Sequence, residues 1–298
     1  MALIHKIWRV FVYQLRRSVI STRIVMLFIM VGIYIYSTIQ PVADFSAAVG
    51  IAAGPWAFPH LVNDYICQLV IMAGVVFLFC DAPFTGESHM YIVSRSGRVA
   101  WSGGHALYII VMSLIYVMFI ILSGTLPLLS NLEWGANWGK IWGTLARTDA
   151  SQQFGLQFTV NDYLIGAFTP AKAMLLSFLL EWACVSWLGL VTYLFNTLTK
   201  KMTGTFISAA FILLDIMIAN EWTPGAYAFS PITLAQLRAF TGRNLTYGIT
   251  LNYAVRFFII TILVLIVLCM FSGNIEKYKT VISRRFSNKK RRKENYNG

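Results

Sequence analysis

Two carboxylates, Glu181 and Asp215, lie well inside long apolar stretches of this sequence. A charged carboxylate at the centre of a bilayer costs roughly 2.5 to 3.5 kcal/mol on insertion scales. Such residues therefore face a helix interface, a cavity or another subunit, and they are candidates for contact with an ion or a substrate. The same positions also suit neutral, hydrogen-bonded carboxylic acids in a helix interface, and both interpretations stay open.

No catalytic signature accompanies these carboxylates. The sequence contains no GxxxxGK[ST] phosphate loop, no HExxH zinc pair and no GxSxG nucleophile elbow. Its four histidines are scattered, and none pairs with a carboxylate at helical spacing. Its four cysteines lack CxxC spacing and are predicted to be small core residues. We therefore expect no enzyme activity, no bound cofactor and no metal site from this chain alone.

The composition places these residues in a membrane protein. Hydrophobic residues make up 57% of the chain and charged residues 12%, with a mean hydropathy of +0.65. Soluble domains have about 25% charged residues. The sequence predicts an all-α integral membrane protein, with a single transmembrane domain over residues 1–275 and a basic cytoplasmic tail over residues 276–298.

Six apolar stretches approach the roughly 20 residues that a spanning helix needs. They cover residues 24–40, 61–80, 106–129, 173–196, 202–220 and 253–271. The second and fifth are the weaker assignments because they contain Asp64 and Asp215. A further apolar stretch, residues 47–58, is too short to cross and contains Pro55, so it is predicted to be re-entrant or interfacial.

The charge distribution predicts the orientation. If the N-terminus is cytoplasmic, most of the 24 lysines and arginines fall on the cytoplasmic side, which is the usual bias of short loops. Both termini are therefore expected on the cytoplasmic side of the membrane. The net charge of +12 is concentrated near the N-terminus and in the tail. Anionic membrane lipid is the expected partner of these charges, and no nucleic acid is required.

Residues 1–20 have the pattern of an amphipathic helix. Apolar residues recur at spacings of three and four, opposite a cationic face. The apolar series is Ile4, Ile7, Trp8, Phe11, Val12, Leu15 and Val19. This pattern predicts a helix in the inner membrane interface, either as a simple anchor or as an elbow that tilts with the bundle.

Two predicted outer segments are rich in aromatic residues. In residues 130–172, Trp134, Trp138 and Trp142 recur at every fourth position. On one helix they would share a face, resting on the outer leaflet or contacting a substrate. In residues 221–252, Ser230 before Pro231 predicts the start of a short outer or re-entrant helix.

A polar and basic segment, residues 81–101, separates the second and third apolar stretches. It is too long for a simple turn and too short for a domain. Glu87, Arg95 and Arg98 are its most evident polar contacts. Because the surrounding chain is apolar, this segment is the expected contact with a soluble partner, although solvated charges near a span end would look the same.

Together these features resemble the permease subunits of ABC-2-type exporters. The resemblance rests on the amphipathic helix before the first span, the two inner termini, the inner loop after the second span and the broken outer segment at residues 226–240. It implies a six-span permease driven by a separate ATPase subunit, which would carry the ATP and Mg²⁺. It also implies that Glu87, Arg95 and Arg98 lie in a loop that docks on this ATPase.

The resemblance further implies that two permeases, identical or related, pair in the working unit. The cargo would be hydrophobic or amphipathic, such as a peptide, a lipid or a drug. Two other interpretations remain: a non-transporting sensor, assembly factor or immunity protein that binds a peptide or lipid, and an intramembrane enzyme that uses Glu181 or Asp215.

Overall fold

The computed structural model describes residues 2–84, 89–240 and 249–294. Within these ranges the chain is helical, and the only β pairing is an isolated bridge between Ala53 and Leu132. The all-α prediction is confirmed. The α-helices of these ranges are, in chain order, α1 (Ala2–Val19), α2 (Thr22–Val49), α3 (Ala57–Asn63), α4 (Tyr65–Phe79), α5 (His89–Ser96), α6 (Arg98–Thr125), α7 (Gly139–Arg147), α8 (Ala150–Gln153), α9 (Asp162–Ala167), α10 (Pro170–Thr199), α11 (Thr203–Ala219), α12 (Pro231–Ala235) and α13 (Leu251–Glu294). Short 3-10 helices cover Leu126–Asn131, Pro224–Phe229 and Leu237–Phe240.

Four helices are each long and apolar enough to cross a membrane. They are α2, α6 with the 3-10 turn that extends it to Asn131, α10, and the part of α13 over Leu251–Ser272. Helices α3 and α4 meet at an angle of 86° and form a fifth candidate if the bent pair is one span. Helix α11 is apolar but has only 17 residues. The described chain therefore has the helices of a membrane protein, four or five of them of spanning length.

Several helices extend beyond the apolar stretches that predicted them. Helix α2 continues through Pro41 and ends where Gly50 adopts a left-handed conformation with φ of 68°. The backbone N–H of Gly50 donates to the Ala47 carbonyl and that of Ile51 donates to the Ser46 carbonyl, so carbonyls of the last turn are satisfied. Helix α13 continues from the last apolar stretch to Glu294 as one helix. Up to Glu294, the predicted tail is therefore part of α13 and not a separate element.

Helix α10 occupies the centre of the bundle and packs against α4, α6, α11 and α13. Its close contact with α11 depends on Gly204, because a Cβ atom there would lie 2.8 Å from the Cα atom of Thr192. The opposite side of α13 exposes apolar residues such as Ile260 and Leu263, as expected for a helix that faces lipid or a second subunit.

The helix ends gather into two groups, which we name the basic end and the aromatic end. The basic end contains Arg17, Arg23, Arg98, Lys200 and Lys201. The aromatic end contains His60, Trp138 and Trp142.

Contacts between distant segments close the basic end. An ion pair of 3.0 Å between Arg23 and Asp81 joins the start of α2 to the turn after α4. Asn196, near the end of α10, donates to the Ala82 carbonyl at 3.0 Å and accepts from the Gly204 N–H at 2.7 Å. The start of α11 and the turn after α4 are therefore fixed to the same end of α10.

Helix α1 lies along the first half of α6 and divides its surface into three faces. The buried face includes Val10, Phe11 and Gln14. A second face is apolar and exposed, with Ile4 73% and Trp8 55% accessible. The third face carries the cationic residues. The predicted apolar face is therefore split: part of it packs on α6, and the rest stays open beside the cations, as in a helix that contacts a bilayer surface.

Candidate functional site

Helix α5 projects from the basic end between α4 and α6. Gly97 separates it from α6 with φ of 86°, a conformation that glycine adopts without strain. Tyr91, Ser94 and Arg95 are exposed on α5. The Arg95 guanidinium donates to the Tyr91 hydroxyl at 2.6 Å and lies 5.3 Å from the ring centroid. Tyr91 and Arg95 therefore form one outward-facing patch.

The three predicted contact residues of the 81–101 segment do not form a single group. Arg95 is on the outward side of α5, whereas Arg98 is the first residue of α6 and lines a cavity behind it. Glu87 lies outside the described residues. The structure thus places Arg95 and Arg98 at the same end of the bundle but on different surfaces.

The cavity at the basic end has a volume of about 770 Å³ and lies between α1, the start of α2, residues 80–84 and the ends of α6, α10 and α11. Its cationic lining consists of Arg17, Arg23, Arg98, Lys200 and Lys201. Asp81 is the only acidic residue of the described lining, and it is paired with Arg23. This arrangement suits an anionic ligand, because the described lining has an excess of positive charge.

Stacked aromatic rings and one hydrogen bond to a backbone carbonyl hold the walls of this cavity together. Arg17 donates to the Phe84 carbonyl at 3.0 Å, which ties α1 to the turn after α4. The buried His105 ring stacks against Phe84 and Tyr193, with centroid distances of 5.6 and 5.7 Å. The sequence did not predict the cavity because its lining comes from four separate stretches, residues 14–24, 80–84, 93–108 and 193–202, and only the clustering of cations near predicted span ends indicated it.

Glu181 lies in the interface between α10 and α4. It is fully buried, and its Oε2 accepts a hydrogen bond of 3.1 Å from Gln68 Nε2. Glu181 Oε1, Gln68 Oε1 and Ser177 Oγ are also buried and have no partner among the described residues. The two side chains thus contribute more buried acceptors than donors, which suits a protonated carboxyl group. The geometry matches the hydrogen-bonded alternative that the sequence left open.

Asp215 belongs to a different network, at the junction of α11 and α12. It accepts from Thr233 Oγ1 at 2.6 Å and from Gln236 Nε2 at 3.2 Å. The predicted helix start is confirmed, because the Ser230 side chain accepts from the Thr233 N–H and Pro231 is the first residue of α12. Asp215 therefore anchors α12 to the bundle. Among the described residues no hydrogen bond joins it to Glu181.

The prediction that three tryptophans share one interfacial helix face was wrong. Helix α7 begins at Gly139, whose positive φ of 76° prevents the helix from extending towards Trp134. Trp134 therefore precedes the helix, and its side chain is 75% exposed. Trp138 and Trp142 are buried, and their indole N–H groups donate to the carbonyls of Phe168 and Gly54.

These two indoles hold α7 over α3. Both rings contact the buried His60, with centroid distances of 4.9 Å for Trp138 and 5.0 Å for Trp142. Their hydrogen bonds to backbone carbonyls explain why they are inside, since a buried indole N–H needs an acceptor. Of the three tryptophans in this series, Trp134 alone is exposed and so placed to contact a lipid surface or a partner.

Asp64 has a structural role that the sequence analysis did not assign. Its Oδ1 accepts from the backbone N–H groups of Ile66 and Cys67 and caps α4, while its Oδ2 accepts from the Thr159 N–H at 3.2 Å. One carboxylate thus caps α4 at the sharp bend between α3 and α4 and fixes the backbone at Thr159 to this bend. An aspartate directly before an apolar run is a helix-start signal that could have identified this cap.

No protein-family model, no curated protein and no solved structure matches this chain. Function therefore has to be argued from the geometry and chemistry described above. Within residues 2–84, 89–240 and 249–294, no group of three or more His, Cys, Asp or Glu side chains is placed to hold a metal ion.

Proposed function

We propose that this chain is the permease subunit of an ATP-driven exporter in the bacterial plasma membrane. A separate ATPase subunit would supply the work, because the sequence has no nucleotide-binding motif of its own. The observation that carries the proposal is α5, a short helix with an exposed Tyr91–Arg95 patch that packs against α1 and α6 at the basic end.

The connections of α5 suit a coupling role. It packs against α1 and α6, and only Gly97 separates it from the start of α6. A partner that pushed on α5 would therefore displace α6 as a rigid body, together with α1. Packed helices transmit such displacements as tilts or shears rather than by local deformation. Closure of an ATPase dimer against α5 would in this way change the angle of the spanning helices.

Six crossings are part of the proposal, and the positions of the helix ends support them. Helix α11 is about 25 Å long at about 1.5 Å per residue, slightly less than the ~30 Å apolar core of a bilayer. Its first turn contacts Asn196 at the basic end, and Asp215 near its other end contacts α12. The bent pair α3 and α4 would supply another crossing.

The excess of cations at the basic end supports a cytoplasmic position for that end, by the positive-inside bias. Both termini and α5 would then be inside the cell. A second permease, identical or related, would complete the pathway, and the exposed apolar side of α13 could form part of that contact. The proposed cargo is hydrophobic or amphipathic, a class that suits a pathway between apolar helices.

The first test is purification of the tagged protein from its native membrane in mild detergent, followed by mass spectrometry of stoichiometric partners. A P-loop ATPase at near one-to-one ratio is the expected result. Its reproducible absence, under conditions that preserve known membrane complexes, would overturn the permease proposal and favour a sensor, assembly or immunity protein that binds a peptide or lipid.

Variants of α5 then test the docking site. We expect Arg95→Glu to reduce the amount of copurified ATPase at least fivefold, because it reverses the charge of the exposed patch and removes the contact with Tyr91. Charge reversal at Glu87 or Arg98 is expected to act in the same direction. The matched control is Lys140→Glu, an exposed cation at the other end of the bundle. Equal loss in the control, or no loss in any variant of the 81–101 segment, would contradict the docking role.

A further inference from the structure

A long apolar groove runs along the surface between α2 and α6. It has a volume of about 690 Å³, and its lining is almost entirely apolar. Val25, Ile29 and Ile33 form one wall, and Met112, Ile115 and Phe119 form the other. Several of these side chains are largely exposed, including Ile33 at 64%. The described protein leaves this groove open to the surroundings.

The shape of the groove depends on a glycine. Gly32 lies in the groove lining, and a Cβ atom at this position would be 2.9 Å from Cζ of Phe119. A larger side chain would therefore fill the groove. Along α2 the lining extends from Ile24 to Ser37. At about 1.5 Å per residue this is about 20 Å, more than half of the ~30 Å apolar core of a bilayer.

The groove and the cavity at the basic end are neighbours, because Ser18 and Ile24 line both of them. A polar, cation-rich cavity of about 770 Å³ therefore lies next to an apolar groove of about 690 Å³. The groove extends from there along α2, which is the direction an acyl chain takes in a membrane.

We infer that the cavity and groove together bind one anionic phospholipid. Its phosphate headgroup lies in the cavity, where five cations face one carboxylate that is already paired with Arg23. An acyl chain lies in the groove, where it covers the exposed apolar walls on either side of Gly32. A lysine or arginine near an anionic headgroup favours binding by about fivefold per charge. This inference does not depend on the permease proposal.

Other occupants would leave part of the site unused or give a different stoichiometry. A free phosphate would use the cavity alone, and a zwitterionic lipid would gain little from the cations. A second copy of the chain would cover the groove and exclude the acyl chain. Each of these occupants predicts a different outcome in the following experiment.

The first measurement is native mass spectrometry of the full-length wild-type chain, delipidated and then mixed with equimolar dioleoyl phosphatidylglycerol and dioleoyl phosphatidylcholine. We expect one phosphatidylglycerol per chain, retained at least tenfold over phosphatidylcholine. Equal retention of the two lipids would overturn the inference, as would a dimer that excludes lipid. If inorganic phosphate at a concentration equal to that of the lipid displaced phosphatidylglycerol, the role of the groove would be overturned, because the headgroup alone would then account for binding.

Variants separate the two halves of the site. We expect Arg17→Gln combined with Lys201→Gln to weaken retention of phosphatidylglycerol by roughly thirtyfold, and Gly32→Leu to weaken it by at least fivefold. The control is Lys140→Gln combined with Arg147→Gln, which removes two exposed cations at the other end and should leave retention unchanged. Size-exclusion profiles identify any variant that fails to fold. Wild-type retention in both the charge and the groove variants would overturn the inference.

Discussion

At the scale of single residues, the two intramembrane carboxylates have different partners and so invite different tests. Asp215 accepts two hydrogen bonds and fixes α12, which accounts for its presence in an apolar helix. Glu181 accepts one hydrogen bond, from Gln68, and its second oxygen is buried without a partner among the described residues. The energetic role of Glu181 is therefore best measured together with that of Gln68.

We predict that Gln68→Leu and Glu181→Leu each destabilise the protein and that the double variant recovers much of the loss. Each single change leaves a buried polar group without its partner, which costs about 1–3 kcal/mol. Replacing both partners by apolar groups removes that penalty. The measurement is thermal unfolding of the three variants in one detergent, analysed as a double-mutant cycle.

A matched surface pair provides the control for this cycle. Arg147 and Asp162 form an exposed ion pair with a distance of 2.8 Å. Removing either residue should change the stability by less than about 1 kcal/mol, with little coupling. A cycle for Gln68 and Glu181 with no coupling would contradict the proposed structural role and would leave both residues available for function.

At the scale of elements, the position of α1 depends on a glycine in its neighbour. A Cβ atom at Gly104 of α6 would lie 2.6 Å from the Val10 side chain and 3.0 Å from the Ile7 carbonyl. The α1 backbone therefore touches α6 without any intervening side chain. This contact fixes the position of α1, whose Gln14 and Arg17 line the basic cavity.

We predict that Gly104→Ala destabilises the protein by about 1–3 kcal/mol, because the added methyl group has no room and α1 has to move. Gly143→Ala in α7 is the matched control, since nothing lies within 4 Å of its added Cβ atom. That change should be neutral or stabilising by up to about 1 kcal/mol, because alanine favours a helix. Thermal unfolding measures both, and equal effects would contradict the close approach of α1 and α6.

At the scale of the whole molecule, the arrangement of the helix ends organises the protein. The ends of α1, α4 and α10 and the starts of α2, α6 and α11 gather around the basic cavity. Helices α3, α7 and α12 gather at the other end of the bundle and are held by hydrogen bonds to carbonyls and carboxylates. The concentration of cations at one end of the bundle is the physical basis for the proposed orientation.

We predict that cysteines introduced at Ser94, Lys201 and Trp222 will report opposite sides of the membrane. All three positions are exposed, and the variants are made after replacing Cys80 by alanine, since the other native cysteines are buried. Ser94→Cys and Lys201→Cys should react with an impermeant maleimide only after the cells are opened. Trp222→Cys should react in intact cells. If the cysteines at positions 201 and 222 are labelled from the same side, α11 does not cross the membrane.

Prediction from sequence succeeded where a local pattern was sufficient. The apolar stretch at residues 173–196 predicted the core of α10, and Ser230 before Pro231 predicted the start of α12. It failed where a helix depends on one backbone angle or one long-range contact. The recurrence of tryptophan at every fourth position predicted a single helix, but α7 begins at Gly139, after Trp134. The other two indoles are buried and pack against His60.

The sequence by itself determined the class of the protein. Apolar runs near the length of a bilayer, few charges and cations near their ends already specify helices that cross a membrane and a basic face, because these depend only on transfer free energies along the chain. Only the tertiary structure decided the partners of Glu181, Asp215 and Asp64, the splitting of the α1 face, and the placement of a cationic cavity next to an apolar groove. These features join residues that are far apart in the sequence, so no local pattern encodes them.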